Sequence, residues 1–345
     1  MKVAIVGVTG VVGETILRVL DERSVEVDEL AAFASRDRTE GLAWRERIWP
    51  IRAATPEELR DGAFDAVFFA SSDDASADLA GHAVAGGAVV IDNSATYRMA
   101  EGVPLIIPEV NPDAVHAHHK IFPVANCTAI VLCVALAPIA REAGLRSVRV
   151  ATYQAVSGAG RGGLDALERE EKAAYAIEEN REPSPFVRQI FRNVIPQVGP
   201  IDAFGDSGEE KKIAAETRKM LGLPNLHVAA TAVRVPVRYA HSEAVFVETE
   251  RETDPVALGE ALGSAPGVVF FPDGNATPRD VEGQDRVFVS RLRAEEGNSK
   301  RHFQLWVVGD QVRKGAATNA VQIFELLVAR GHFRRSSEPV LEPRH

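Results

Sequence analysis

The sequence contains 345 residues, 46% of them apolar, and carries a formal net charge of −10. A chain of this length exceeds one ordinary small domain, so two domains with separate cores are expected. The negative total excludes a surface built for nucleic acid or an anionic membrane, because those partners reward a positive field. The amino terminus lacks the apolar run of a signal peptide or a membrane span, so we expect a cytoplasmic protein.

In the first part of the chain, short apolar runs alternate with helical patterns. This alternation predicts βαβ units and a mostly parallel sheet, whose nearly continuous apolar strands are covered by helices on both faces. The predicted strands are residues 3–6, 29–34, 65–70, 88–92 and 121–124, and the predicted helices are 12–20, 76–84 and 129–139.

The second part of the chain has a different pattern, with more strands and fewer helices between them. It predicts a mixed, largely antiparallel sheet. The predicted strands are residues 148–156, 227–237, 242–250, 268–271, 287–292 and 304–308, and two charged helices are predicted at 164–178 and 209–220. A last helix is predicted at 316–329 with Gly331 closing it, and the polar tail 336–345 is expected to be disordered.

A glycine-rich loop at residues 7–13 has the spacing GxxGxxG and lies between a predicted strand and a predicted helix. Glycines there let the backbone approach a pyrophosphate, whose charge meets amide N–H groups and the positive helix end. The strand–turn–helix setting favours a dinucleotide site over the alternative, a simple tight turn.

The loop after the second predicted strand indicates which dinucleotide is bound. An acidic residue there ordinarily receives the ribose hydroxyl of NAD, but this chain has Ser35 and Arg36, followed by Asp37 and Arg38. A hydroxyl and a guanidinium suit a 2′-phosphate, so NADP is predicted. Asp37 would repel that phosphate if it pointed inward, and a solvated charged turn is the alternative.

The chain has two cysteines, Cys127 and Cys133, too few for a disulfide framework and without the spacing of a zinc site. No metal is expected. Cys127 lies directly before an apolar helical run, so its thiolate, the nucleophilic form, would be favoured by the positive end of a helix. Cys133 lies inside that run and is expected in the core. Among the histidines, His241 stands between two predicted strands, where it is a candidate base.

Several of these residues belong to an ordered set of motifs. The motifs are residues 7–13, 92–98, 126–128, 153–160, 193–197, 234–237 with 241–243, and 313–320. In this order they resemble the aspartate-semialdehyde dehydrogenase family from residue 1 to about 330. The resemblance implies an NADP-binding Rossmann-like domain at 1–126 and an α+β catalytic and dimerisation domain at 127–314, an architecture like that of glyceraldehyde-phosphate dehydrogenase. It also implies a helix at 315–335 that returns to the first domain.

The resemblance implies an enzyme that interconverts L-aspartate 4-semialdehyde, phosphate and NADP with 4-phospho-L-aspartate and NADPH. The reaction would serve the biosynthesis of lysine and diaminopimelate, methionine, threonine and isoleucine. A thiohemiacetal and then a thioester would form on Cys127, with His241 as the acid/base and Gln154 positioning the reacting group. A homodimer is expected by analogy with this fold.

The family also implies contacts for the two substrates and the cofactor. Arg234 resembles the clamp on the substrate carboxylate, and Glu209 resembles the partner of the amino group, although the adjacent Glu210 could take that place. Arg98 and Lys212, with Asn93 nearby, resemble the phosphate site. The implied cofactor contacts are Gly7, Thr9, Gly10, Val11, Val12, Gly13, Ser35, Arg36, Ser71, Ser157, Gly158 and Asn319.

This chain departs from the family around the cysteine, where Val124 and Ala125 replace the usual Asn-Pro and Thr128-Ala129 replaces Ser-Thr. One alternative is N-acetyl-γ-glutamyl-phosphate reductase, which shares the architecture and the cysteine chemistry. The block from Arg234 to His241 favours the aspartyl enzyme. A non-catalytic paralogue is the other alternative, and the joint presence of the four predicted catalytic and clamp residues argues against it.

Overall fold

A computed structural model describes residues 1–176, 183–295 and 299–333 of the chain. The strands are β1 Lys2–Val6, β2 Glu29–Ala34, β3 Leu42–Trp44, β4 Arg47–Trp49, β5 Ile51–Ala53, β6 Ala66–Phe69, β7 Val89–Asp92, β8 Ile121–Pro123, β9 Ser147–Gln154, β10 His227–Arg234, β11 His241–Glu248, β12 Val268–Phe271, β13 Val287–Ala294 and β14 His302–Gly309. The α-helices are α1 Val11–Glu22, α2 Pro56–Asp61, α3 Asp73–Ala85, α4 Cys127–Ala143, α5 Gly160–Ala176, α6 Gly208–Leu221, α7 Pro255–Ser264, α8 Pro278–Val281 and α9 Thr318–Ala329. The predicted tail 336–345 and the end of the predicted helix 164–178 lie outside the described residues.

The first sheet has six strands in the order β5-β2-β1-β6-β7-β8, and every neighbouring pair is parallel. Consecutive residues of β6 point to opposite faces. Phe68 packs against Phe324 of α9, whereas Phe69 joins a separate cluster with Leu59 and Ala80 of α2 and α3. Helices therefore cover both faces, and the predicted parallel sheet is confirmed.

The second sheet has six strands in the order β10-β9-β11-β14-β13-β12. Its three central pairs are antiparallel and its two outer pairs are parallel, so the predicted mixed, largely antiparallel sheet is confirmed. Along β9, Val148 and Val150 are buried toward the helices, while Arg149 and Tyr153 are exposed on the opposite face. Among the described residues this face is covered over β13 and β14 by the segment that contains Ala276 and α8, whereas Arg149 and Tyr153 of β9 and Phe246 of β11 remain exposed.

Helix α4 connects the two sheets and lies in the core of the molecule. It follows β8 of the first sheet and packs against α6, α7 and strands β13 and β14 of the second. All but four of its 17 residues are buried, because its apolar side chains run around the whole helix rather than along one stripe. Its first residue, Cys127, therefore begins at the junction of the two sheets.

The carboxy-terminal helix α9 is preceded by a π-helical turn at Arg313–Ala317, and it packs on α1 and β7 of the first sheet. The turn contains a fully buried lysine. Lys314 Nζ donates to Glu109 Oε2 at 2.6 Å, to Gln322 Oε1 at 2.6 Å and to Asn319 Oδ1 at 3.1 Å. A buried ammonium is stable only with such partners, so this network fixes the turn to the first sheet.

The sequence did not predict the hairpin of β3 and β4. Its turn places Arg45 at φ 49° and Glu46 at φ 60°, the left-handed conformation that Asn-Gly pairs usually signal. Arg45 is held there by bonds to Asp21 Oδ1 at 2.6 Å and to Val25 O at 2.8 Å. Tertiary contacts rather than local preference therefore set this turn. Within the described residues, helices long and apolar enough to cross a membrane are absent.

Candidate active site

A cleft of about 620 Å³ opens between the two sheets, a size that suits a small-molecule site. Most of the predicted site residues line it: Thr9, Gly10, Val11, Val12, Ser71, Asn93, Arg98, Cys127, Gln154, Ser157, Gly158, Glu209, Lys212, Arg234 and His241. Five do not, namely Gly7, Gly13, Ser35, Arg36 and Asn319. The fold therefore brings residues as distant in sequence as Thr9 and His241, 232 positions apart, into one cleft.

The glycine loop forms the end of the cleft where β1 gives way to α1. Gly7 has φ 88°, and a Cβ on it would lie 2.3 Å from the Ala70 carbonyl oxygen. A Cβ on Gly13 would lie 2.3 Å from the Gly7 oxygen. These two glycines shape the turn from behind, while Gly10, Val11 and Val12 face the cleft. The Gly10 N–H donates to Gly7 O at 3.0 Å, and the N–H groups of Val11 and Val12 have no intrahelical partner at this helix start.

The loop after β2 lies beside the glycine loop. Arg38 Nη2 is 3.4 Å from Thr9 Oγ1, so this arginine, which the sequence did not single out, reaches the cleft end. Ser35 and Arg36 are exposed. Asp37 Oδ1 accepts the N–H of Ala53 at 2.7 Å, and its carboxylate is therefore used on β5 rather than turned toward the glycine loop.

Cys127 is the first residue of α4, as the apolar run after it predicts. Its Sγ lies 3.6 Å from His241 Nε2 and 4.0 Å from Thr128 Oγ1. On the other side it meets Gly315, where a Cβ would approach Cys127 Cβ to 2.9 Å. Only a glycine fits against the thiol at that point of the π-helical turn.

Burial opposes the thiolate that the position of Cys127 at a helix start is expected to favour. Burial raises the pKa of Cys127 to about 12, and the carboxylate of Glu209 acts in the same direction, against smaller opposing effects of Arg234, Thr128 and Arg98. A helix end stabilises a negative charge by at most about 2 kcal/mol, or roughly 1.5 pKa units. Desolvation therefore outweighs the helix end, and Cys127 rests as a thiol.

His241 is fully buried at the start of β11, and its ring orientation is fixed by a backbone group. The N–H of Ala155 donates to Nδ1 at 3.0 Å, so the neutral ring carries its proton on Nε2, the atom that faces the thiol. Burial, followed by the charge of Arg234, holds the pKa of His241 well below its ordinary value. In this state His241 is a neutral donor at Nε2.

A polar cluster surrounds the reacting pair and distinguishes Glu209 from Glu210. Glu209 Oε1 accepts from Asn126 Nδ2 at 2.9 Å and from Gln154 Nε2 at 2.8 Å, and Glu209 lines the cleft. Glu210 instead forms the capping box of α6 with Ser207 and accepts the N–H of Ala232 at 2.8 Å. The carboxylate that faces the thiol is therefore Glu209.

Four cations line the cleft. Arg161 pairs with Glu14 at 3.0 Å, and the other three, which are predicted site residues, differ in how they are held. Arg234 Nη1 donates to Ala155 O at 2.6 Å, and its Cζ lies 5.8 Å from the centre of the Phe186 ring. Arg98 is buried with all its nitrogens bonded, whereas Lys212 is exposed and, among the described residues, forms neither a hydrogen bond nor an ion pair. The cations give the cleft a positive patch despite the acidic total.

The sequence missed Glu216 of α6. This carboxylate is 1% exposed, bonds Arg98 Nη1 at 3.3 Å and accepts the backbone N–H of Asn126 at 2.5 Å. Burial raises the pKa of Glu216, while Arg98 and that N–H lower it. A charged residue on a helix is usually solvated, so no local signal in the sequence distinguishes it.

Asn319, which is predicted as a cofactor contact, does not line the cleft. Asn319 is fully buried behind the cleft, where Nδ2 donates to Ile106 O at 3.1 Å and Oδ1 accepts from Lys314. The residues of this segment that do line the cleft are Gln311, Val312, Gly315 and Ala316. Gln311 donates to Ser157 Oγ, whose own hydroxyl donates to Arg238 O.

The raised pKa of Cys127 predicts its alkylation behaviour. Below a pKa of about 12 the thiolate fraction increases with pH, so the iodoacetamide reaction should accelerate about tenfold per unit between pH 7 and 9. Glu209→Gln should accelerate it further, because that carboxylate raises the pKa, whereas Glu248→Gln at the far end of β11 should not. Mass spectrometry of the Cys127 peptide measures the rate. A plateau below pH 8 would contradict the neutral thiol.

The chain is similar to known proteins along almost its whole length. The family described as semialdehyde dehydrogenase, NAD binding domain, matches residues 2–118, and semialdehyde dehydrogenase, dimerisation domain, matches residues 136–314. The aspartate-semialdehyde dehydrogenase of Aquifex aeolicus is 43% identical over 96% of this chain and 98% of that protein. Aspartate semialdehyde dehydrogenase II of Vibrio cholerae superposes with a TM-score of 0.91 at 39% identity, covering 95% of this chain and 98% of that one. A second structure of that enzyme, complexed with ASA, gives 0.90 at 40% identity with the same coverage. The chain belongs to the aspartate-semialdehyde dehydrogenase family.

Proposed function

We propose that this chain catalyses the reversible conversion of L-aspartate 4-semialdehyde and phosphate to 4-phospho-L-aspartate with NADP as hydride acceptor, and that Cys127 carries the acyl group. The contact of 3.6 Å between Cys127 Sγ and His241 Nε2, inside a cleft that begins at a dinucleotide loop, is the observation that supports it most directly. The reductase of N-acetyl-γ-glutamyl phosphate is not favoured, since relatives that are 38–43% identical over 95–96% of this chain carry the aspartyl name.

The reaction begins when the Cys127 sulfur adds to the aldehyde carbon and the thiol proton passes to the carbonyl oxygen, which becomes the hydroxyl of a thiohemiacetal. The new oxygen of the thiohemiacetal then lies within reach of His241 Nε2, whose N–H supports negative charge on that oxygen. A dinucleotide held at the glycine loop of residues 7–13 would supply the hydride acceptor for the same carbon. Loss of the hydride and of the hydroxyl proton leaves a thioester on Cys127, and phosphate displaces the sulfur, which takes up a proton, to give the acyl phosphate and the free thiol.

The substrate would be held at both ends of its amino-acid group. The Arg234 guanidinium keeps N–H groups free after its bond to Ala155 O, and a planar fork suits the α-carboxylate. Glu209 uses Oε1 for Asn126 and Gln154, which leaves Oε2 for the ammonium group. Opposite charges at the two positions orient the aldehyde toward the sulfur between them.

Phosphate would bind between Arg98 and Lys212. Both line the cleft, and Lys212 forms no ion pair within the described part of the chain, so its charge is available to an anion. Asn93 lies beside them with a buried Oδ1 that has no hydrogen-bond partner among the described residues. That oxygen suits a protonated phosphate oxygen, which can donate to it.

The glycine loop suits a dinucleotide, because the backbone packs closely behind Gly7 and Gly13 and the other side of the loop is accessible at the start of α1. A Cβ on Gly158 would lie 2.8 Å from Arg234 Nη1 and 3.2 Å from His241 Cε1, so the nicotinamide end also requires a glycine. Arg36 and Arg38 favour NADP, since Asp37 is bonded to β5 and does not oppose a 2′-phosphate.

A homodimer is proposed through the outer face of the second sheet. Tyr153 is 38% exposed and Phe246 is 37% exposed on that face, and the Tyr153 ring lies 5.5 Å from that of Trp306. An exposed aromatic patch on a sheet face is typical of a protein interface. The family domain that matches residues 136–314 is described as a dimerisation domain.

The first test of the function is phosphate-dependent NADPH formation from L-aspartate semialdehyde. Cys127→Ala should lower kcat by more than about 10⁴-fold, since removal of a nucleophile abolishes the covalent route. Cys133→Ala, which removes the other thiol from the core, should retain activity within about threefold. An inactive intact chain, or equal activity of the Cys127→Ala variant, would exclude the mechanism.

Coenzyme preference is tested by kcat/KM with NADP and with NAD. Arg38→Ala and Arg36→Ala should each lower the value for NADP about tenfold, as expected for one charge-assisted bond of about 1.5 kcal/mol, and leave NAD unchanged. Arg60→Ala, an exposed arginine paired with Asp61, is the control. If the NADP to NAD ratio stayed constant in both variants, this loop would have no role in selecting the coenzyme.

Sedimentation equilibrium tests the dimer. The intact chain should give twice the mass of one 37.2-kDa chain. Phe246→Glu should give a single-chain mass, because a carboxylate would be buried without a partner at the interface. Ile48→Glu, at a side chain 79% exposed on the β3–β4 hairpin, should remain dimeric. A single-chain mass for the intact protein would contradict the proposal.

A further inference from the structure

Helix α6 presents three charged side chains on one face toward the start of α4. Glu209, Lys212 and Glu216 are spaced by three and four residues, which places them one above another on a helix. The first two line the cleft, but Glu216 does not. It lies behind the cleft wall, with a relative exposure of 1%.

The two oxygens of Glu216 bind different parts of the site. Oε1 is 3.3 Å from Arg98 Nη1, on the loop that follows β7. Oε2 accepts the N–H of Asn126 at 2.5 Å, and Asn126 is the N-cap of the helix that begins with Cys127. One carboxylate on α6 therefore links the arginine of the proposed phosphate site to the helix that carries the thiol.

The other bonds of Arg98 show what Glu216 contributes. Its Nε donates to Val124 O at 2.8 Å and its Nη2 to Asn93 O at 2.8 Å. With Nη1 on Glu216, every nitrogen is anchored, and each terminal nitrogen keeps one N–H. Two N–H groups on a fixed plane form the fork that binds two oxygens of one phosphate.

We propose that Glu216 is a positioning residue that fixes the Arg98 fork and the Cys127 helix relative to each other, so that bound phosphate faces the thioester. The proposal rests on the assignment of phosphate to Arg98 and Lys212 made above. The Oε1 contact serves the phosphate site, and the Oε2 contact serves the nucleophile. The two contacts can be separated by substitution.

A carboxylate beside an arginine could instead act only as a counter-charge. That role makes the opposite prediction, because removing a negative charge close to the anion site would strengthen phosphate binding. If Glu216 positions Arg98, loss of the bond between them weakens phosphate binding. The sign of the change in KM for phosphate therefore distinguishes positioning from charge balance.

The experiment compares Glu216→Gln with Glu216→Asp in the full-length enzyme. Two quantities are measured: the rate of the first turnover of NADPH without phosphate, which reports acylation of Cys127, and the steady-state KM for phosphate. Glutamine keeps an oxygen for the Asn126 N–H but loses the bond to Arg98. We expect its first-turnover rate to stay within about threefold and its KM for phosphate to rise about tenfold.

Aspartate keeps the charge but is one methylene shorter, so it cannot reach both partners. We expect a higher KM for phosphate together with a slower first turnover. Glu248→Gln is the matched control, because Glu248 also pairs with an arginine at 3.3 Å and lies at the opposite end of β11 from His241. It should leave both quantities unchanged.

Three results would overturn the proposal. The first is an unchanged or lowered KM for phosphate in Glu216→Gln. The second is a first-turnover rate in Glu216→Gln that falls by the same factor as the rate of the phosphate reaction, because a general loss of structure would lower both. The third is wild-type behaviour in Glu216→Asp, which would show that the charge suffices. Absence of phosphate-dependent NADPH formation by the wild type would instead refute the proposed function.

Discussion

The geometry of the site depends on three hydrogen bonds made by Asn126. Its Oδ1 accepts the N–H of Ala129, its Nδ2 donates to Glu209, and its backbone N–H donates to Glu216. The first bond caps α4 and so makes Cys127 the first helical residue. The other two attach that helix start to α6. The N–H groups at a buried helix start need hydrogen-bond partners, and α6 supplies one of them through Glu216. The same requirement therefore fixes the position of Cys127 relative to the charged face of α6.

The electrostatics of the cleft follow from this burial. The thiol and the imidazole both rest neutral, because a low-dielectric site penalises an isolated charge on either. The Ala155 N–H also disfavours an imidazolium, which would place a second proton on Nδ1 against that donor. Because the thiol and the imidazole are neutral at rest, the fixed cations of the cleft act mainly on the negative charge that develops during the reaction. The helix end could stabilise a free thiolate at Cys127 only if burial at the start of α4 penalised a charged sulfur less strongly.

How far the sequence predicts this site depends on whether a residue's role is local. A helix close after Cys127 could be predicted from the apolar run 129–139, although α4 begins two residues earlier, at Cys127 itself. The choice between Glu209 and Glu210 could also have been made, since Ser207 precedes Glu210 by three residues, the spacing of a capping box. Glu216 could not be identified, because its partners are 90 and 118 positions away. The surroundings of Asn319 could not be predicted for the same reason, because its Nδ2 donates to Ile106 O, 213 positions away.

The carboxy-terminal segment shows how residues outside the chemistry still define it. Gly315 packs against Cys127 so closely that no side chain fits, and the π-helical turn that carries it is held by the ammonium of Lys314 on Glu109. Removing one member of a buried pair costs about 3–5 kcal/mol, because the other charge is left without compensation. The turn therefore cannot move away from the thiol without exposing or uncoupling that pair. The Cys127 sulfur is therefore confined on one side by α4, which the two sheets bury. On the other side it is confined by the π-helical turn, which is anchored to the first domain. Both domains thus set the distance from this sulfur to His241.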